Sequence, residues 1–185
     1  MLVLASQSPR RKAILSAAGI EFVTRPASIP EERLAGEDPR EHVRRLARAK
    51  AEAAQAAPGE IILAADTVVV VDHQVLGKPE SEEQARWMLR QLSGREHEVV
   101  TGICLRAGER MVEDAETTRV RFVPLSAQEI AEYVQSGEPM DKAGAYGAQG
   151  LASKFIDRIE GCYFNVVGLP VALVYRRVKE LQASA

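Results

Sequence analysis

The stretch Ile61-Ile62-Leu63-Ala64-Ala65-Asp66-Thr67-Val68-Val69-Val70-Val71-Asp72 is an apolar, largely β-branched run that is interrupted at its centre by Asp66 and Thr67. This pattern predicts a β-strand that is covered on both faces. An ionised carboxylate in such a strand is costly unless it is paired, hydrogen-bonded or bound to a metal. Two alternatives remain open: Asp66 ends one strand and Thr67 starts another, or Asp66 caps a neighbouring helix.

Composition narrows the class of protein. The chain has 185 residues, of which 46% are apolar and 27% charged, enough for one globular domain or two closely packed lobes. Its formal net charge of −2 gives no basic field for a nucleic-acid partner, so an anion site needs a local cluster of Arg and Lys. The chain also lacks a secretory signal and an apolar run of about 20 residues. We expect a soluble cytoplasmic protein without a membrane partner.

The cysteines and histidines suggest no metal centre. Cys104 and Cys162 have the spacing of neither a disulfide framework nor a zinc site, and two reduced thiols are expected. The histidines His42, His73 and His97 are too far apart to form a ligand pattern. They are interpreted as surface or internally hydrogen-bonded residues.

The first helix is predicted to begin at an anion site. Ser8 is a typical N-cap and Pro9 a typical first helical residue, but Arg10 and Arg11 then place positive charge where the helix dipole is already positive. A bound phosphate would account for this, because free amides, hydroxyls and guanidinium groups would converge on it. The alternative is that the two arginines bridge to acidic loops elsewhere.

Three further side chains are candidates for binding a phosphate or its cation. Glu32 lies in the acidic loop Ser28–Glu32 and is a candidate cation ligand, although such loops are usually only solvated. Lys50 lies on the inner stripe of a predicted helix and either snorkels, reaches a phosphate or pairs with Asp66. Lys78, between Gly77 and Pro79, is a candidate phosphate ligand or an ordinary surface lysine.

Periodicity and capping signals predict the other elements. Helices are expected from Asp38 to about Ala57, after Ser81, after Ser126 and from Pro170, and the tail Gln182–Ala185 is expected to fray. Strands are expected at about 2–5, 21–25, 98–106, 110–123 and 155–159. The predicted buried positions are Val43, Leu46, Ala47, Ala53 and Ala54, then Ala85, Met88, Leu89 and Leu92, then Ile130, Tyr133 and Val134, and finally Val171, Val174, Val178 and Leu181.

The stretch Asp141 to Gly150 contains three glycines but matches neither a P-loop nor the dinucleotide fingerprint. Glycines permit close approach of the backbone to a ligand. Lys142 adds charge, and the Gln149 amide can donate and accept hydrogen bonds at once. These residues predict a ligand-binding loop.

Four motifs taken together closely resemble the Maf family of nucleoside triphosphate pyrophosphatases, over nearly the whole chain. They are Ser6-Gln7-Ser8-Pro9-Arg10-Arg11, Ala65-Asp66-Thr67, Gly77-Lys78-Pro79 and Asp141-Lys142-Ala143-Gly144-Ala145-Tyr146-Gly147-Ala148-Gln149-Gly150, followed by Val166-Val167-Gly168-Leu169-Pro170. The last loop is similar to the branch that acts on dTTP and UTP rather than to the branch that acts on 7-methyl-GTP, except at Ala148, where the dTTP/UTP branch usually has a larger aliphatic residue.

The resemblance implies a fold: one α/β domain over residues 1–185 with two closely packed lobes. Its elongated mixed sheet would have flanking helices and a central cleft, similar to the inosine triphosphatase architecture. It also implies hydrolysis of dTTP and UTP to the monophosphate and pyrophosphate, or clearance of non-standard pyrimidine nucleotides, with Mg²⁺ or Mn²⁺. A homodimer is implied as well.

In this resemblance the catalytic carboxylate falls on Asp66, as proton acceptor, and the specificity positions fall on Arg10, Thr67 and Gln149. From the residues themselves, Asp66 is either a base or a metal ligand. The phosphate contacts are predicted from Ser8, Arg10, Arg11, Lys50, Lys78 and Lys142, and the metal contacts from Glu32 and Asp66. The competing hypothesis is a nucleotide-sensing inhibitor of septum formation that acts through a protein partner.

Overall fold

The computed structural model describes residues 1–183. The α-helices are α1 (Pro9–Ala17), α2 (Pro39–Ala53), α3 (Glu82–Leu92), α4 (Ala127–Gln135), α5 (Tyr163–Val167) and α6 (Val171–Ala183). The strands are β1 (Leu2–Leu4), β2 (Phe22–Thr24), β3 (Ile61–Val71), β4 (Gln74–Leu76), β5 (Glu96–Ala107), β6 (Arg110–Phe122) and β7 (Ile156–Glu160).

The strands form a seven-stranded mixed sheet. Its order is β2-β1-β3-β5-β6-β7, and β4 pairs with β3 outside this path. Strand β1 is parallel to both β2 and β3, whereas β4 is antiparallel to β3 and β7 is antiparallel to β6. The expected α/β class with a mixed sheet is therefore confirmed.

Strand β3 is a single strand that passes without a break through Asp66 and Thr67. Its residues are buried except for partly exposed Ile61 and Thr67, which confirms a strand covered on both faces. Asp66 neither ends the strand nor caps a helix. Beyond Val71 the chain reverses through two residues with positive φ and returns as β4.

The described chain divides into two compact units. The first unit comprises 1–66, 101–116 and the described residues from 168 on, and the second comprises 67–100 and 117–167. The chain passes from one unit to the other inside β3, β5 and β6. Each unit has its own apolar core.

In the first unit, α2 packs its small residues against the sheet. Its Ala47 and Ala51 are buried with Val3 and Ile62 in one cluster. Gly102 of β5 allows a very close approach, because a Cβ atom there would lie 2.4 Å from the carbonyl group of Val43. The backbones of α2 and β5 are therefore in direct contact.

The predicted stripe of α2 was wrong at one position. Ala53 is exposed and Ala51 is buried in its place, while Ala54 is buried just beyond the helix. The helix ends at Ala53 rather than about Ala57, because Ala54 is already extended with a ψ of 137°.

In the second unit, α3 and α4 bury the predicted faces. Ser126 and Glu129 form a capping box at the start of α4, with both reciprocal bonds. At α3 the Ser81 hydroxyl accepts from the Gln84 N–H, but the Gln84 side chain accepts from the Glu80 N–H instead of returning to Ser81. The buried residues are Ala85, Met88, Leu89 and Leu92 of α3 and Ile130, Tyr133 and Val134 of α4.

The C-terminal helix differs from the prediction in two ways. Leu173, Val174 and Leu181 are buried, whereas Val171 and Val178 are only half-buried. Helix α6 includes Gln182 and Ala183, so the expected fraying does not begin at Gln182, and residues 184–185 lie outside the described part.

Both cysteines are free thiols, as predicted. Within residues 1–183, every helix is too short or too polar to cross a membrane.

His97 should make the second unit sensitive to acid. It is 3% exposed and bonds to the Tyr146 hydroxyl at 2.8 Å, and burial lowers its pKa from 6.5 to about 4. The unfolded chain takes up this proton below pH 6.5, whereas the folded chain does so only near pH 4. We expect the free energy of unfolding to fall by about 3 kcal/mol from this group between pH 7 and pH 4.

Urea unfolding of wild type and His97→Leu at pH 7, 5.5 and 4 measures the contribution of His97 to the free energy of unfolding. The variant should start less stable and lose less stability on acidification. The matched control is His73→Asn, at an exposed position with a positive φ that asparagine tolerates, which should follow the wild-type curve. Parallel curves for wild type and His97→Leu would contradict the prediction.

Candidate active site

A buried ion pair joins α2 to the centre of β3 in the first unit. Lys50 Nζ donates to Asp66 Oδ1 at 2.6 Å, and both side chains are only 11% exposed. Of the roles considered for Lys50, the structure shows pairing with Asp66. The pair explains how a carboxylate is tolerated in an apolar strand, because each charge is compensated by the other.

The same lysine contacts the acidic loop. Lys50 Nζ lies 2.7 Å from Glu31 Oε1, so one ammonium group bridges two carboxylates. The prediction chose the neighbouring Glu32, which is exposed and whose backbone carbonyl accepts from Arg45 at 2.9 Å. Glu31 is the acidic residue of this loop that shares a partner with Asp66.

The acidic loop is held by an ion cluster that the sequence interpretation missed. Glu37 accepts from Arg45 Nε at 2.6 Å and lies 2.9 Å from His42 Nδ1, and the Arg45 bond lowers the pKa of Glu37 to about 2. Arg45 in turn holds the Glu32 carbonyl. The available signal was the helical spacing of His42 and Arg45 just after an acidic residue.

At the predicted phosphate site, the structure shows the helix cap at Ser8, whereas Arg11 binds backbone carbonyls of the protein. The Ser8 hydroxyl caps the helix by accepting from the Arg11 N–H at 3.4 Å, as predicted. The Arg11 guanidinium donates to the carbonyls of Ala65 and Gly168, each at 2.8 Å, and burial lowers its pKa. Arg11 therefore ties the helix start to β3 and to the segment before α6. Arg10 is half-buried beside it, and its contact with phosphate stays a prediction.

The remaining candidates lie in the second unit. Lys78 and Gln149 are exposed, and Thr67 is half-buried. Since successive side chains of a strand point to opposite faces, Thr67 projects away from the face that Asp66 uses. Lys142 Nζ contacts the Glu138 carbonyl and the Asp141 carboxylate, both at 2.6 Å. The ligand contacts of these four residues stay predictions.

The glycines of the 141–150 loop lie against the protein's own side chains, and close approach of a ligand to them stays a prediction. A Cβ atom at Gly147 would lie 2.6 Å from the Lys142 side chain, and one at Gly150 would lie 2.3 Å from the Glu138 carboxylate. Gly144 has a φ of 67° and lies against Val69. These glycines make room for the protein's own side chains, and Glu138 is a residue that the sequence interpretation missed.

Metal ligation was also predicted here. Among residues 1–183, no group of three or more His, Cys, Asp or Glu side chains is arranged to hold a metal ion. A cation bound by Asp66 and Glu31 would therefore need further oxygen ligands from groups other than His, Cys, Asp and Glu side chains.

Comparison with known proteins places the chain in a family. The model of the Maf-like protein family matches residues 1–181. The chain belongs to the Maf family. This confirms the resemblance drawn from the four motifs.

Similar Maf proteins cover most of the chain. A protein of Koribacter versatilis is 51% identical over 96% of this chain and 93% of its own length. One of Syntrophomonas wolfei is 53% identical over 93% of both chains. Both are named dTTP/UTP pyrophosphatase. A solved structure of a nucleoside-triphosphatase / dITP/XTP pyrophosphatase from Mycobacterium abscessus covers 98% of this chain and 97% of its own, with a TM-score of 0.46 and 16% identity.

Removing the lysine of the buried pair should destabilise this Maf chain. We expect Lys50→Met to lower the free energy of unfolding by about 3 kcal/mol, because Asp66 is left buried without its partner. The matched control is Arg48→Met, whose side chain is 55% exposed and pairs with Glu52 and Glu113 at the surface. That change should cost about 1 kcal/mol or less.

Urea unfolding at neutral pH measures both changes. The double variant Lys50→Met/Asp66→Asn should lose less stability than the sum of its single variants, because the second change removes the orphaned charge. Equal losses for Lys50→Met and Arg48→Met would contradict the assignment of a buried pair.

Proposed function

We propose that this protein hydrolyses dTTP and UTP to the nucleoside monophosphate and pyrophosphate. Two findings support the proposal: the chain belongs to the Maf family, and relatives about half identical to it carry the name of this activity. The observation that carries the chemistry is the buried Lys50–Asp66 pair, which places an ammonium group from α2 against a carboxylate in an apolar strand.

In the proposed reaction a water molecule attacks the α-phosphorus of the triphosphate. The new P–O bond forms to the water oxygen, the bond between the α-phosphorus and the bridging oxygen breaks, and pyrophosphate leaves. Asp66 accepts the proton that the water loses. Lys50 holds Asp66 through Oδ1, and a carboxylate can accept further bonds at its second oxygen. Asp66 is thus oriented by one bond and still able to take a proton or a ligand.

A divalent cation, Mg²⁺ or Mn²⁺, is part of the proposal, and the donors near Asp66 fit one. Asp66 and Glu31 offer carboxylate oxygens, which hard cations prefer, and both already compensate one positive charge on Lys50. Such a cation stabilises charge on the transferring phosphate oxygens when bound. Mg²⁺ typically binds one or two protein carboxylates and completes its coordination shell with substrate phosphates and water. Asp66 and Glu31 would supply the two carboxylates. Glu32 stays a second candidate through its neighbouring position.

The cationic residues are proposed to act on the phosphates in two ways, as direct ligands or through the positive potential that they add. Arg10 at the start of α1 and exposed Lys78 are proposed as direct phosphate ligands. Arg11 and Lys142 already hold backbone carbonyls, so their proposed contribution is the positive potential that they add around the triphosphate. Ser8 contributes the capped helix start, whose free N–H groups favour an anion.

Base selection is assigned to Gln149. A primary amide can pair with the adjacent N–H and C=O of the edge shared by uracil and thymine, which cytosine presents differently. Thr67 is proposed as an additional hydroxyl contact. This accounts for a preference that includes both dTTP and UTP.

Product analysis tests the proposed function. The protein is incubated with UTP, dTTP, CTP and 7-methyl-GTP in the presence of Mg²⁺ or Mn²⁺, and pyrophosphate is separated from orthophosphate. We expect pyrophosphate and the monophosphate from UTP and dTTP. Orthophosphate as the first product would exclude the reaction, preference for 7-methyl-GTP would contradict the branch, and no turnover would favour the nucleotide-sensing hypothesis.

Asp66→Asn tests the catalytic carboxylate. We expect kcat for UTP to fall by about 10²–10⁴-fold, since an amide cannot accept the proton. Asp72→Asn is the matched control. Asp72 follows directly after β3, but its side chain is 73% exposed and pairs with Arg95. Its activity should equal that of wild type. A fully active Asp66→Asn protein would rule out the assignment.

Gln149→Ala tests base selection. We expect the ratio of kcat/KM for UTP over CTP to fall about tenfold or more, because the amide that reads the edge is lost. The control is Gln135→Ala, an exposed glutamine at the end of α4, which should leave the ratio unchanged. A uniform loss of activity on all bases would assign Gln149 to another role.

A further inference from the structure

A single carboxylate holds the backbone on both sides of Gln149. On the C-terminal side, the Leu151 N–H donates to Glu138 Oε2 at 2.9 Å. On the N-terminal side, the Gly147 N–H donates to the Tyr133 hydroxyl oxygen at 3.2 Å, and that hydroxyl donates to Glu138 Oε1 at 2.9 Å. The segment 147–151, here called the Gln149 loop, is thus anchored two residues before and two residues after its glutamine.

The N-terminal anchor is buried at Tyr133 and Gly147, Glu138 is half-buried, and Gln149 itself is exposed. Tyr133 is 3% exposed, and its pKa is raised by burial first and by the bond to Glu138 second, so its hydroxyl keeps the proton that it donates. Ala148 is 8% exposed, whereas Gln149 is exposed. A partly buried, hydrogen-bonded frame therefore carries one exposed polar side chain that is available to a ligand.

The Glu138 carboxylate fills the space that a side chain at position 150 would occupy. Atoms Oε1, Oε2 and Cδ of Glu138 all lie 2.3–2.4 Å from the position that a Cβ atom at residue 150 would occupy. Gly150 has a negative φ of −102°, so its conformation does not by itself require a glycine. The absence of a side chain at position 150 is needed because Glu138 is there.

We propose that Glu138 is a positioning residue that sets the base selectivity of this protein by fixing the Gln149 loop. The inference rests on the proposed function, in which Gln149 reads the pyrimidine edge. An amide discriminates a donor–acceptor pair only when its orientation is fixed, because a mobile amide can rotate to suit either edge. A loop that must first be ordered also binds every substrate less tightly.

A carboxylate is required for this frame. It can accept from the Tyr133 hydroxyl and the Leu151 N–H at the same time, one bond on each oxygen. A glutamine at position 138 offers one acceptor oxygen and a donor amide, so it can keep one of the two bonds. Glu138→Gln should therefore have an intermediate effect and Glu138→Ala the full effect.

The first test compares Glu138→Ala with Glu132→Ala by steady-state kinetics on UTP and CTP. Glu132 lies on the exposed surface of α4, where its carboxylate accepts from the exposed Gln128 amide at 2.8 Å, so its removal is a matched loss of one carboxylate. For Glu138→Ala we expect KM for UTP to rise and the UTP/CTP ratio of kcat/KM to fall, each by about tenfold, with a smaller change in kcat. Glu132→Ala should keep both values.

The second test adds a methyl group instead of removing a carboxylate. Gly150→Ala should displace the Glu138 carboxylate and reproduce the loss of UTP/CTP discrimination. In the double variant Glu138→Ala/Gly150→Ala the methyl group has room, so the double variant should be no worse than Glu138→Ala alone. Additive losses would show that the two positions act independently and would overturn the proposal.

A readout that does not depend on activity accompanies these kinetics. Amide hydrogen exchange at Gly147 and Leu151 should speed up in Glu138→Ala, while exchange in the core strands stays at the wild-type rate. Unchanged discrimination by a folded Glu138→Ala protein would overturn the inference and leave the proposed function intact. Absence of UTP hydrolysis by the wild type would instead remove the proposed function, and the inference with it.

Discussion

The ion pair between Lys50 and Asp66 is the constraint on which the first unit depends. A carboxylate in the middle of a buried strand is tolerated only because an ammonium group from a neighbouring helix reaches it at 2.6 Å. That contact in turn fixes the rotation of α2 on the sheet, since Lys50 must share the face that carries Ala47 and Ala51. The acidic loop is drawn to the same ammonium group through Glu31.

In the second unit, too, a single acidic side chain fixes the local geometry. Glu138 has no ionic partner among the side-chain contacts described above, and it organises a loop through a phenol and a backbone amide. Charged groups that accept directed hydrogen bonds form stronger bonds than neutral acceptors do. One acidic side chain in each unit thus determines local geometry, in the first unit through an ion pair and in the second through hydrogen bonds.

Much of the fold could be predicted from the sequence because it follows local rules. The helix starts at Ser8, Ser81 and Ser126 were readable from capping residues, and the buried faces of α3 and α4 from their periodicity. The end of α2 was not readable, because alanine residues continue past Ala53 and the first helix-breaking residues of the sequence are Pro58 and Gly59. Strand β3 was readable from its β-branched composition.

The candidate site was harder to predict because its contacts join distant parts of the chain. The sequence allowed Lys50 three roles, and only the fold shows which carboxylate it reaches. The prediction named Glu32 instead of its neighbour Glu31. Both lie in an irregular loop, where no periodicity indicates which side chain contacts Lys50. Gly150 indicated a close approach, but a glycine says only that something is near, and that neighbour proved to be Glu138.

The glycine at position 102 shows how far the influence of a missing side chain extends. It lets the backbone of α2 lie directly on β5 at Val43, which is about two helical turns before Lys50. Any side chain at position 102 would lever that end of the helix outward and carry the ammonium group with it. Position 102 therefore helps to set where the Lys50 ammonium group lies, although it contributes no functional group at all.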